Sequence, residues 1–162
     1  MNGEVLFFVL RDSFWSAIAA VGFAILFNVP PYTLPACALA GAVGHGLRAA
    51  LIALFGMPIE AATLLAATAV GFLGELLARH YHIPRLVFVV PGVIPMVPGV
   101  FAYRTMLGIF EMTGLADLSA VEGAEVLLQT AVYAIRTGLI LAGLAFGIIA
   151  PNLLFRRQRP II

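Results

Sequence analysis

Leu86-Val87-Phe88-Val89-Val90-Pro91-Gly92-Val93-Ile94-Pro95-Met96-Val97-Pro98-Gly99 is the stretch on which the fold turns. Its residues are apolar, as a buried or lipid-embedded helix requires. Yet Pro91, Gly92, Pro95, Pro98 and Gly99 crowd its second half, and no regular helix forms through them. Each proline lacks a backbone N–H and leaves a carbonyl upstream without its usual donor. In hydrocarbon such backbone is tolerated only where protein buries it or where it lines a cavity. Broken helices of this kind are where secondary transporters place substrates and coupling ions. The plainer reading, a kinked packing helix, is the weaker one with three prolines so close together.

The rest of the chain sets the solvent. Of its 162 residues, 62% are hydrophobic and 10% charged, and the mean hydropathy is +1.07. A soluble domain carries roughly 25% charged residues. Here that polar coat is missing, so the surface faces lipid or other protein. The length suits about five spans of roughly 20 residues each. A net charge of +1 without a basic, aromatic-interleaved patch argues against nucleic acid as a partner. All the basic residues are arginine, which carries no functional weight here. The single cysteine, Cys37, excludes an internal disulfide and a cysteine zinc site; it reads as a small packing residue. The first charge is Glu4, where a cleaved signal wants a positive start, so the first apolar stretch is expected to be a retained span.

The expected fold is therefore an all-α integral membrane protein. It is a bundle of five transmembrane helices in a single domain over residues 1–162, with the fourth helix broken by the Pro/Gly segment. The spans fall at about 5–27, 34–55, 59–78, 86–110 and 126–154. Asn28-Val29-Pro30-Pro31 ends the first, and Gly56-Met57-Pro58 ends the second. The polar loop Arg79-His80-Tyr81-His82-Ile83-Pro84-Arg85 follows the third, an acidic loop over 111–125 the fourth, and Arg156-Arg157-Gln158-Arg159 the fifth. Positive loops stay on the cytoplasmic side. That places the C-terminus and the 79–85 loop inside, and the N-terminus outside; the family resemblance given below implies a bacterial inner (plasma) membrane. Small residues recur at helical spacing: Ala17, Ala20 and Ala24; Gly41 and Gly44; Gly71, Gly74 and Ala78; Gly143 and Gly147. Such faces let helix backbones approach closely in lipid.

Polar residues inside these spans are the candidate site. An arginine at the bilayer centre costs roughly 2.5–3.5 kcal/mol on insertion scales, so it needs a partner or a task. Arg48 lies mid-way along the second span and Arg136 along the fifth; Arg104 lies two turns from the outer end of the fourth and can also snorkel. His45 stands one helical turn before Arg48 on the same side. A guanidinium is a planar fork of donors that fits a carboxylate, so these residues suggest an anion site at the midplane. The competing reading pairs them with Asp12 or Glu75, or with carbonyls freed at the broken helix. His45 suits a proton relay or a structural hydrogen bond equally well. His80 and His82 alone do not make a metal site, and no metal or cofactor is expected. No span carries an arrangement of nucleophile and base, so an enzyme is not expected.

Three segments carry a family resemblance that covers essentially the whole chain. They are Gly22-Phe23-Ala24-Ile25-Leu26-Phe27-Asn28-Val29-Pro30, then Gly44-His45-Gly46-Leu47-Arg48, then Val93-Ile94-Pro95-Met96-Val97-Pro98-Gly99 followed by Ala102-Tyr103. In this order and spacing the chain resembles the small YjjB-type subunit of the threonine/serine exporter (ThrE) family. The resemblance implies export of threonine and serine, or of small dicarboxylates such as succinate. It implies that the exporter has two five-span halves, either fused or split into a YjjB-like and a larger YjjP-like chain. This chain would then be one half, working with a YjjP-type membrane subunit, a small carboxylate and the lipid bilayer, with room for a higher oligomer. The split arrangement favours succinate-like dicarboxylates. Alternatives are a threonine/serine exporter subunit and a non-transporting scaffold for the partner. The resemblance brings no catalytic residues with it.

Overall fold

A computed structural model of the chain describes residues 3–115 and 120–155. It is built from six helices: α1 (Gly3–Leu26), α2 (Leu34–Phe55), α3 (Ile59–Tyr81), α4 (Leu86–Val93), α5 (Gly99–Phe110) and α6 (Ala120–Phe155). Short 3-10 turns cover Pro31–Thr33 and Ile94–Met96. There is no strand among the described residues. α1, the segment Pro31–Phe55, α3 and the segment Val121–Leu154 are each long and apolar enough to cross a membrane. Counting the broken pair Leu86–Met96 and Gly99–Gly114 as one span brings the number to five. The protein is an all-α membrane protein whose fourth span is interrupted. α3 runs one turn beyond the expected 59–78, and α6 starts before the expected 126, because the polar residues at both places continue the helical hydrogen bonding. The arginine-rich tail lies outside the described residues.

Each boundary has a local cause. α1 stops where Asn28 takes a left-handed conformation (φ 56°) ahead of the two prolines. α2 carries a proline in its first turn and ends at Gly56 (φ 62°), whose N–H bonds the Ile52 carbonyl at 3.0 Å. Glycine suits that cap because it bears no Cβ to clash. α3 ends at His82 in the same left-handed region (φ 57°), a conformation rare for histidine. α4 tolerates Pro91 inside it, tightens into the turn at Ile94–Met96, and stops where Val97 becomes extended (φ −61°, ψ 133°). Pro98 then caps α5, its carbonyl accepting the Ala102 N–H at 3.0 Å.

The chain divides into two compact units, Met1–Val97 with Gly143–Ile162, and Pro98–Ala142. In the first unit α2 is the central helix, packed against α1, α3 and α4. The interior is made of small residues: Ala20, Ala24, Ala40, Ala62, Ala66 and Ala67 are fully buried. Helices meet at glycines. A Cβ on Gly41 would stand 2.8 Å from the Ser16 carbonyl oxygen. One on Gly92 would stand 2.7 Å from the Ala40 Cβ, and one on Gly147 2.6 Å from the Ala67 Cβ. These contacts are the close small-residue packing that helices use where lipid offers no hydrophobic drive. Gly41, Gly44, Gly71, Gly74 and Gly147, picked out by spacing, all lie at such contacts.

The second unit is an antiparallel helical hairpin. Phe101 of α5 stacks on Tyr133 of α6 with ring centroids 6.1 Å apart. Further along, Gly108 faces Thr130 so closely that a Cβ there would overlap the hydroxyl. The hairpin turns beyond α5 through Gly114, whose φ of 95° suits glycine.

Candidate functional site

Three elements of the first unit converge on Arg48. α2 supplies Arg48 and, one turn earlier, His45. α1 supplies Asp12, and the turn after α4 supplies the Met96 carbonyl. The Arg48 Nη1 donates to the Met96 carbonyl at 2.9 Å. Its Nη2 meets His45 Nε2, and His45 Nδ1 lies 2.6 Å from an Asp12 carboxylate oxygen. A guanidinium only donates. His45 Nε2 must therefore present its lone pair, which puts the ring proton on Nδ1, donated to Asp12. The result is a row of carboxylate, neutral imidazole and guanidinium with no net charge. That is the condition under which charges are tolerated away from water. The histidine side chain is 17% exposed and the aspartate 31%, so the row reaches the surface at its Asp12 end.

The Pro/Gly break explains why the Met96 carbonyl is available. Val97 leaves the helical region, and its N–H bonds the Ile94 carbonyl at 3.0 Å, which closes the turn behind it. The Met96 carbonyl then lacks a helical donor, and Arg48 supplies one. A second freed carbonyl is met differently. Pro91 cannot donate to Val87 four residues back, and the thiol of buried Cys37 donates to the Val87 oxygen at 3.4 Å instead. Cys37 is thus more than a packing residue. A proline four residues after an apolar position, facing a small polar side chain, is the signal that points to such a bond. Pro91, Gly92 and Pro98 are buried, Pro95 is half-buried and Gly99 is exposed.

Arg104 and Arg136 belong to the second unit and form a separate cluster there. Arg104 Nη1 donates to the Tyr133 hydroxyl at 3.0 Å, and its guanidinium carbon lies 5.3 Å from the centre of that ring. Arg136 lies over Phe101 at 5.8 Å. Each of the two stacked rings thus has one guanidinium over it. Both arginines are exposed. The structure thus joins Arg48 and His45 to the broken segment, and builds Arg104 and Arg136 into a different arrangement.

Glu75 pairs with Arg79 at 3.3 Å on the surface of α3, not with an arginine inside a span. Arg85 donates to the Ile148 carbonyl at 3.1 Å. Near these groups a cavity of about 410 Å³ opens among Glu75, Arg79, Arg85, Pro84, Pro151 and Asn152. A second, of about 290 Å³, lies within the second unit beside Arg104, Glu111, Gln129 and Tyr133.

Residues 12–154 match the family described as Threonine/Serine exporter, ThrE. The chain belongs to that family. The match starts at Asp12 and takes in His45, Arg48, the Pro91–Gly99 break and the paired arginines of the hairpin. An uncharacterized protein of Haemophilus influenzae is 39% identical over 154 residues, which is 95% of this chain and 50% of the relative. This ThrE-family chain therefore spans about half the length of that relative. No solved structure matches it.

Proposed function

We propose that this chain is one membrane half of a secondary exporter of small carboxylates, most of all succinate-like dicarboxylates, working with a YjjP-type membrane subunit. The observation that carries the reading is Arg48, a guanidinium within an apolar helix that bonds a carbonyl set free by the proline break. In this scheme Arg48 binds a substrate carboxylate, and His45 and Asp12 orient it. The carboxylate competes with the Met96 carbonyl for the same donor. Binding would then release the turn at Ile94–Met96 and let the broken helix move, as alternating access requires. The chain has no phosphate-binding loop, so an ion gradient or the substrate's own gradient drives export. The arginines at 79 and 85 support an N-outside, C-inside orientation in the bacterial inner membrane.

A second reading has its own support. The family description names threonine and serine, and a half-exposed carboxylate beside the arginine suits an ammonium group. An amino acid would place its carboxylate on Arg48 and its amine near Asp12. Metabolite profiling separates the two, using a strain lacking this chain, with and without the partner. Build-up of a dicarboxylate inside the deletion strain supports the first reading, and build-up of threonine or serine the second. Full export by the partner alone would reduce this chain to a scaffold.

A further inference from the structure

We propose that the cavity at the 79–85 end of the first unit binds the headgroup of an anionic phospholipid, with the lipid's phosphodiester on Arg85. The site is separate from the Arg48 row and stands whether or not that row binds substrate.

The cavity, about 410 Å³, lies where the last turns of α3, the start of α4 and the end of α6 meet. Small-molecule pockets run from roughly 300 to 1,000 Å³, so a headgroup fits. Depth follows from helix length. α3 has 23 residues, which is about 35 Å of helix against a hydrocarbon core of roughly 30 Å. Its last turn, with Arg79, therefore stands at the level of lipid headgroups, whichever face of the membrane it reaches.

Charge selects the ligand. Two guanidiniums, Arg79 and Arg85, and one carboxylate, Glu75, line the cavity. Glu75 is taken by Arg79, which leaves Arg85 as the cation in excess. Arg85 does not simply extend to water as a surface arginine does. Its Nη1 donates to the Ile148 carbonyl at 3.1 Å, which ties the side chain to α6. That is its one hydrogen bond among the described residues, so the other donors of its fork are available to a ligand. Asn152 adds an amide to the same cavity. One negative charge neutralises the cavity, and that is the charge of a phosphodiester whose other substituent is uncharged. A zwitterionic headgroup would leave the excess in place.

The apolar side decides between a lipid and a free anion. Leu86 lines the cavity and is 52% exposed; Val90, one turn further along α4, is 37% exposed. Residues four apart share a helix face, so the cavity continues into an exposed apolar strip along the span. A charged head followed by an apolar track is how a phospholipid presents itself, and basic pockets between transmembrane helices hold lipid headgroups in this way. A soluble anion makes no use of the strip.

The test is native mass spectrometry of the full chain in mild detergent, titrated with phosphatidylglycerol, phosphatidylcholine or the deacylated headgroup glycerophosphoglycerol. One phosphatidylglycerol is expected to be retained, about tenfold more tightly than phosphatidylcholine, the margin of one charge-assisted bond. Glycerophosphoglycerol at equal concentration should not displace it. Arg85→Gln is expected to weaken retention by about tenfold, and Arg85→Lys to keep the preference for the anionic lipid. Arg79→Gln frees Glu75 and cancels the excess charge without touching the Ile148 bond, so it should weaken retention too and serves if Arg85→Gln does not fold. Arg11→Gln, at an exposed arginine of α1, should change nothing.

Equal retention of the two lipids would overturn the assignment, and so would unchanged retention on the Arg85 and Arg79 variants. A loss on Arg11→Gln as large as on Arg85→Gln would make the lipid a non-specific surface coat. Displacement by glycerophosphoglycerol or inorganic phosphate at equal concentration would make the cavity a site for a soluble anion. Either result overturns it as well.

Discussion

Arg48 and the pair Arg104 and Arg136 are two ways of keeping arginine in apolar helices. Arg48 is half-buried in the first unit, and a backbone carbonyl and a histidine linked to a carboxylate hold it in place. Arg104 and Arg136 are exposed in the second unit and lie on aromatic faces. The surroundings differ in the same sense. Gly41, Gly46, Gly74, Gly92 and Gly147 of the first unit stand where a Cβ would collide with a neighbouring helix, whereas in the second Gly108 meets Thr130 and Gly99, Gly123 and Gly138 have open space. The first arrangement is internally complete and can only be altered by something that competes for its donors. The second is held by ring faces and, for Arg104, by the Tyr133 hydroxyl. An arginine within a span is therefore read from what its guanidinium touches, not from its depth alone.

The largest effect expected from breaking this contrast comes from paired glycine substitutions. Gly92→Leu forces a side chain into the Ala40 contact and should cost about 3 kcal/mol or more. That should show as loss of folded protein in a thermal unfolding scan in detergent. Gly99→Leu, with no atom near its Cβ direction, should stay within about 1 kcal/mol of wild type. Equal losses at the two positions would erase the distinction between the tight and the open site. Asp12→Asn comes next. It removes the anionic acceptor from His45, a charge-assisted bond worth roughly 1.5–3 kcal/mol, and should lower both the melting temperature and the export rate. Tyr133→Phe keeps both stacked rings and deletes one hydrogen bond to Arg104, so about 1 kcal/mol is expected from the same scan. The smallest effect is expected at Cys37→Ser, which keeps a donor for the Val87 carbonyl and should shift stability by less than about 1 kcal/mol.

Much of this architecture is legible in the residues. Apolar runs of the right length, ended by Pro30-Pro31, by Gly56 and by the polar 79–85 loop, mark the helices because backbone chemistry at those points is local. The spacing of Gly41, Gly44, Gly71, Gly74 and Gly147 marks the packing faces for the same reason. The interruption at Pro91–Gly99 is legible too. What the sequence does not reveal is which freed carbonyl finds which donor. The contacts from Arg48 to Met96 and from Cys37 to Val87 each bridge about fifty positions, and only the packing of α2 against α4 brings them together. Asp12 belongs to the same class. From the sequence it is one of two carboxylates open to an arginine, and the fold gives it to His45. Nor does periodicity separate Arg48 from Arg136, since both stand mid-helix; their difference lies in the neighbours each helix receives.

The central claim is that the Arg48 guanidinium is the carboxylate-binding group. The most direct measurement is the export rate of the accumulated carboxylate from cells carrying Arg48→Ala or Arg48→Lys, at membrane levels of the chain and its partner matched to wild type. Alanine is predicted to abolish export, and lysine, a point charge without the planar fork, to restore only part of it. Export at the wild-type rate by the alanine variant would contradict the account and leave Arg48 as a clamp on the Met96 carbonyl alone.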